Sequence, residues 1–167
     1  LTGAEVHLKV EGDNPTGSFK DRGMTVAVSR AIASGAEALA CASTGNTAAS
    51  LAAYAAHAGC PALVLVPEAS TASGKLSQAV AHGARVLRVK GDFDCAMELV
   101  AELAHRGEVA LLNSANPFRI EGQKTIVFEM LQQLRWQPPD WIVFPAGNLG
   151  NCAAFGKALR EASDLGL

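Results

Sequence analysis

Apolar positions along this chain recur with two alternating periods. Val6, Leu8 and Val10 alternate with polar neighbours, which predicts a half-buried strand over 6–10. Met24, Ala27, Val28, Ala31 and Ile32 then fall on one helical face, predicting a helix over 19–33. Short apolar runs at 37–42, 62–66, 85–89, 109–112 and 141–144 read as further strands. Helices are expected between and after them: over 47–58, closed by Gly59, over 75–81, closed by Gly83, over 119–134 and over 151–162. Another follows Asp92 as its cap, with Phe93, Ala96, Met97, Val100 and Leu103 on its apolar face and Glu102 and Arg106 at a supportive spacing.

Alternation of strand and helix with nearly continuous apolar strands implies an α/β fold whose mostly parallel sheet is covered on both faces, a three-layer sandwich. Ligands in such folds bind beyond the carboxyl ends of the strands, so chemistry is expected in the strand-to-helix turns. Gln137-Pro138-Pro139-Asp140 is a short linker-like break, and no repeat is evident.

The 167 residues suffice for one good core. Half of them are hydrophobic (49%) and few are aromatic (5%), the balance of an ordered α/β protein with small side chains at helix contacts. A net charge of −2 makes no electrostatic case for nucleic acid or an anionic membrane surface, and no apolar run is long enough to span a membrane. Cys41, Cys60, Cys95 and Cys152 are widely spaced and read as reduced, mostly buried thiols in a cytoplasmic protein. His7, His57, His82 and His105 have no partners at metal-ligand spacing, so no metal site is expected. The strand pattern is under way by Glu5, which suggests that residues preceding Leu1 are missing.

Four turns carry unusual residues. In Asn14-Pro15-Thr16-Gly17-Ser18-Phe19-Lys20-Asp21-Arg22-Gly23-Met24, Ser18 is the expected cap and Asp21 suits the first turn of the helix. Lys20 opposes the helix dipole and sits beside apolar Phe19. It is either an ordinary surface lysine or an amine of lowered pKa, the form that condenses with aldehydes. Ala42-Ser43-Thr44-Gly45-Asn46-Thr47 sets polar side chains beside free helix N–H groups; it is either plain capping or an anion site. Pro145-Ala146-Gly147-Asn148-Leu149-Gly150-Asn151 could bring backbone N–H groups close to a phosphate, but matches neither dinucleotide fingerprint nor P-loop. Ser114 and Arg119, in the run 113–123, offer a hydroxyl and a guanidinium suited to phosphate, or else a surface cap.

Together these four runs, in this order, resemble the motifs of fold-type II pyridoxal-phosphate enzymes, most closely the threonine synthase branch. The resemblance covers essentially the whole chain and implies the following roles. Lys20 would be the catalytic residue, holding pyridoxal 5'-phosphate as a Schiff base. Asn46 would meet the cofactor's phenolic oxygen, and Gly147, Asn148, Leu149, Gly150 and Asn151 would cup its phosphate, although Leu149 is bulkier than the small residue expected there. Ser43, Thr44 and Thr47, with Asn46, would hold the substrate carboxylate, and Ser114, Arg119 and Asn148 the substrate phosphate. The implied reaction is O-phospho-L-homoserine and water to L-threonine and phosphate. The rivals are a threonine or serine dehydratase, an O-phosphohomoserine phospho-lyase, and a non-catalytic fragment or binding partner. The resemblance also implies an incomplete chain, with 18–116 as a small mobile domain and 1–17 and 117–167 as parts of a large cofactor-binding domain, and a homodimer when intact.

Overall fold

The computed structural model describes residues 3–70 and 74–167. Strands β1 (Leu39–Ala42), β2 (Ala62–Pro67), β3 (Arg85–Val89) and β4 (Ala110–Leu111) form one sheet in the order β3-β2-β1-β4. Every neighbouring pair is parallel, with Leu39 level with Ala62 on one side and Ala110 on the other. Parallel neighbours require a crossover, and each is a helix. These are α2 (Asn46–His57), α3 (Gly74–Ala81) and α4 (Phe93–His105). Helix α1 (Lys20–Ala33) precedes the sheet; α5 (Phe118–Gln123), α6 (Thr125–Gln133) and α7 (Gly150–Asp164) follow it.

Strand alternation sorts the core into layers. On one face Leu39, Cys41, Val64 and Val66 pack with Met24 and Ala27 of α1, Leu51 of α2 and Leu76 of α3. On the other, Ala40, Ala42 and Leu65 meet Ala96 and Val100 of α4. The alanines of α2 that reach zero exposure, Ala48, Ala49 and Ala55, let that helix lie close to the sheet. Asp92 caps α4 by accepting from the Cys95 N–H (3.1 Å), and the Glu102–Arg106 pair forms, both as expected. A separate apolar cluster joins Ile126, Val127 and Leu131 of α6 to Ala154, Phe155 and Ala158 of α7.

Three sequence expectations change. Segments 6–10 and 141–144 are not strands, because neither finds a ladder partner among the described residues. At 141–144 the alternation survives without the ladder. Ile142 and Phe144 pack on the α6–α7 cluster, the Phe144 ring centroid 4.7 Å from that of Phe155, while Val143 is 91% exposed. At 6–10 the apolar side chains are exposed, Leu8 by 83%, and it is polar Lys9 that turns inward to Glu129 (2.5 Å). The single helix expected over 119–134 is two, interrupted at Lys124. There the Thr125 hydroxyl donates to the Gly122 carbonyl (2.7 Å), a side-chain bond that competes with the helix ladder. The thiols are free, but only Cys41 is fully buried; burial pushes it up to about 12, with the Arg119 charge opposing. Cys60 is half-buried, and Cys95 and Cys152 are exposed.

The contact that positions the site is between α1 and α5. A Cβ on Gly122 would lie 1.9 Å from the Arg22 carbonyl oxygen and 2.7 Å from the Gly23 Cα. One on Gly23 would lie 2.9 Å from the Arg119 carbonyl oxygen. The two backbones therefore touch, and Lys20 and Arg119 are brought together at one end of this crossing. Gly122→Ala must push the helices apart and is expected to cost about 1–3 kcal/mol, read as a lowered Tm. Gly147→Ala, whose Cβ meets nothing within 4 Å, should leave Tm unchanged. Equal Tm values for the two variants would remove the crossing from the account.

Ion pairs brace the same region. Glu129 accepts from Arg22 (2.5 Å) and Lys9, and these bonds hold its carboxyl down to about 2. Lys124 bridges Glu121 (2.6 Å) and Glu161 (2.8 Å), and Lys157 also meets Glu121, so α5 and α7 are tied side by side.

Candidate active site

Lys20 is the first residue of α1. The turn before it closes through the Gly17 N–H to the Asn14 carbonyl (2.7 Å), with Gly17 at φ +78. The helix boundary falls on Phe19 rather than Ser18, but the Ser18 hydroxyl still accepts from the Lys20 N–H (3.3 Å). What fixes the turn is Asp21. Its buried carboxylate accepts from the Thr16 N–H (2.8 Å), the Thr16 hydroxyl (2.6 Å) and the Ser50 hydroxyl on α2 (2.6 Å). Three such bonds offset the cost of burying the charge. Lys75 of α3 adds a bond to the Thr16 carbonyl (2.6 Å). The Lys20 backbone is thus anchored to two helices of the sheet layer.

The Lys20 ammonium lies 4.4 Å from the Phe19 ring centroid. Burial holds its pKa below the ordinary lysine value, and the nearby Arg119 charge lowers it further. Arg119 is 2% exposed. Burial lowers its pKa too, yet an arginine keeps its proton at neutral pH. Its Nη1 donates to the Leu112 carbonyl (3.3 Å), whereas Nε and Nη2 are buried without a partner, and no carboxylate is paired with it among the described residues. A buried cation with two idle donors is a site for an anion.

Arg119 and Lys20 line a cleft of about 210 Å³ with Phe19, Ser114, Ile120, Gln123, Pro145, Gly147, Asn148, Leu149, Gly150 and Asn151. The fold thus gathers Lys20, Ser114, Arg119 and residues 147–151 of the glycine turn. That turn leads into α7, whose first residues, Gly150 and Asn151, line the cleft, and the first N–H groups of a helix have no partner within it. The left-handed residue is Leu149 (φ 59), not either glycine. An L-residue there costs roughly 1–2 kcal/mol, a strain of the kind found at ligand clamps. Gly147 has open space where a side chain would be, leaving room for a ligand against the backbone.

Ser43, Thr44, Asn46 and Thr47 do not line this cleft; they sit between the end of β1 and the start of α2. The Ser43 hydroxyl accepts from the Gly45 N–H (3.1 Å), and Asn46 Oδ1 is buried without a partner. Asn113 joins this loop to the Ser114 run. Its side chain bonds both the N–H and the carbonyl of Ala42 (2.9 Å each), extending the β1–β4 ladder by one rung. Sequence reasoning gave no role to Asn113 or Gln123 and saw Asp21 only as a dipole partner. Their one local signal is a polar residue where burial is otherwise expected.

Among the described residues, five buried side-chain atoms lack partners: Asn46 Oδ1, Arg119 Nε and Nη2, Gln123 Oε1 and Asn151 Oδ1. Four belong to the cleft and the fifth to the β1–α2 loop. Orphaned polar atoms are rare in folded proteins, and their concentration beside a lowered-pKa lysine marks a polar ligand site. Idle guanidinium donors, a free helix start and a poised amine fit a phosphorylated aldehyde. No group of three or more His, Cys, Asp or Glu is placed to hold a metal among the described residues, and none of their helices is long and apolar enough to cross a membrane.

A parallel α/β scaffold that sets this amine beside an unpaired buried guanidinium and a glycine turn suits a protein that works on a phosphorylated carbonyl cofactor. The chain belongs to the family described as pyridoxal-phosphate dependent enzyme, which its residues 1–165 match. It is 55% identical to a threonine synthase of Methanocaldococcus jannaschii over 98% of this chain and 40% of that protein. It is 53% identical to one of Mycobacterium tuberculosis H37Rv over 99% of this chain and 46% of that protein. A pyridoxal 5'-phosphate-dependent aspartate racemase superimposes with a TM-score of 0.82 at 27% identity, over 93% of this chain and 47% of the other. The chain therefore spans less than half the length of these proteins, and its fold is that of fold-type II enzymes of the family.

Proposed function

We propose that this chain carries the lysine, carboxylate and phosphate sites of a threonine synthase, which converts O-phospho-L-homoserine and water to L-threonine and phosphate. The observation that carries the reading is Arg119. An unpaired buried guanidinium beside Lys20 and Ser114 supplies a phosphate subsite in addition to the glycine turn. A substrate that itself bears a phosphate needs two such places, one for itself and one for the cofactor. The named relatives, at 53% and 55% identity, favour the same reading.

Pyridoxal 5'-phosphate, when bound, would supply the electron sink that stabilises carbanions of the substrate. Lys20 would hold it, with Asn46 at its phenolic oxygen and residues 147–151 around its phosphate. Ser43, Thr44, Asn46 and Thr47 at the start of α2 would orient the substrate carboxylate. Ser114, Arg119 and Asn148 would grip the substrate phosphate and keep hold of it as it leaves. Lys20 Nζ, its pKa lowered by burial and by the nearby Arg119 charge, would take and return protons at the substrate's α and β carbons. We assign 18–116 to a small mobile domain whose closure excludes water, and 1–17 and 117–167 to parts of a larger one. A cytoplasmic homodimer completes the proposal.

The test supplies O-phosphohomoserine to the cofactor-loaded protein and measures threonine against 2-oxobutanoate. Threonine as the main product is expected. A predominantly keto-acid product would replace the synthase by a dehydratase or phospho-lyase. A colourless protein that traps no cofactor with borohydride would leave a non-catalytic chain.

A further inference from the structure

Gln123 is the polar residue of the cleft to which neither the motifs nor the proposed chemistry assigns a role. It is 3% exposed, and its Oε1 is buried without a partner. It lies where three helices meet. Its Cγ and Nε2 are 3.3 Å from a Cβ placed on Gly23 of α1, and its Oε1 is 3.4 Å from one on Gly150, the first residue of α7. A side chain at Gly23 would crowd it, and one at Gly150 would come into ordinary contact with its Oε1, so the amide is packed between α1 and α7. A buried, unsatisfied amide costs about 1–3 kcal/mol. A core glutamine with no ligand would be better replaced by leucine or methionine.

The two ends of a glutamine amide have the same shape, and the hydrogen-bond network decides which faces inward. An anion held at the start of α7, whose first N–H groups have no partner within the helix, would lie at the Oε1 end of this amide. An anion offers only acceptors, so it selects the amide orientation with the NH2 inward. We propose that Gln123 is a further phosphate-binding residue, whose side-chain NH2 donates to the phosphate held at the start of α7. Gln123 carries no charge of its own and so adds a donor without repelling the Lys20 ammonium, as another cation would. Packed between α1 and α7, it also ties the position of that phosphate to the helix that bears Lys20. The inference rests on the reading of residues 147–151 as a phosphate cup.

The test measures the affinity of the intact, cofactor-stripped protein for pyridoxal 5'-phosphate and for pyridoxal, by absorbance titration. The ratio of the two reports the phosphate contacts alone, and pyridoxal affinity checks that the rest of the pocket is intact. Gln123→Glu, of the same shape but with acceptors only, should reduce the ratio at least tenfold while leaving pyridoxal binding unchanged. Gln123→Met, of similar size and without a donor, should reduce it several-fold. If both variants keep the wild-type ratio, or if Gln123→Met keeps it while Gln123→Glu loses it through charge alone, the donor role is overturned and the cup stands. A wild-type protein that binds the two compounds equally would overturn the cup itself, and the inference with it.

Discussion

Arg119→Met should give a protein that, free of ligands, melts no lower than the original yet has lost its grip on a phosphorylated substrate. Arg119 is buried, has one hydrogen bond to the Leu112 carbonyl, and leaves Nε and Nη2 unmet. Removing an unpaired buried charge relieves a desolvation penalty of several kcal/mol, and methionine fills most of the volume. The same change deletes the charged partner of an anion, which costs about 2–5 kcal/mol of binding when the pair is desolvated. That is on the order of 30- to several-thousand-fold in kcat/KM. Differential scanning of the free protein and steady-state kinetics measure the two effects. A large fall in Tm would make Arg119 a structural residue, and an unchanged kcat/KM would remove it from the substrate site.

Lys20→Met should abolish borohydride-trappable cofactor, and lower turnover on the order of 10²–10⁴-fold through loss of the general base alone. The pH dependence separates the two causes of the lowered pKa, of which burial is the larger and the Arg119 charge the smaller. Aldehyde capture by the original protein should reach half-maximum below pH 10.5, the ordinary lysine value. In Arg119→Met the midpoint should rise only part of the way back, since burial remains. Stability should follow the same group with a definite sign. Between the folded pKa and the ordinary value the unfolded chain binds the extra proton, so stability rises with pH across that window. Below the window the buried ammonium is a constant cost. Lys20→Met lacks the group and should lose that rise. A midpoint at the ordinary value in the original protein would put Lys20 in solvent and end its role.

Much of this could be read along the chain because it is local. The cap at Asp92, the stop at Gly59, the helix face of Met24, Ala27 and Val28 and the continuous apolar run of β2 each depend on neighbours within a few residues. The candidate residues were legible too, as polar and glycine turns following apolar runs. Strand pairing was not. Segments 6–10 and 141–144 have the pattern of strands, but a pattern supplies a face and no ladder partner. Nor was the break at Lys124, where a threonine hydroxyl captures a carbonyl.

Residue order alone settled which turns hold an amine, hydroxyls and glycines, since side-chain chemistry needs no fold to be recognised. It also settled the succession of strands and helices from α1 to β4, since periodicity is a property of neighbours. Only the folded chain decided which turns meet. Two glycines 99 positions apart, Gly23 and Gly122, let α1 and α5 touch and bring Lys20 beside Arg119. It decided as well that Arg119 and Gln123 are buried with idle polar atoms, because burial is a relation among distant segments. A lysine becomes a poised amine only when desolvation and a neighbouring cation act on it together, and both arise from packing across the chain.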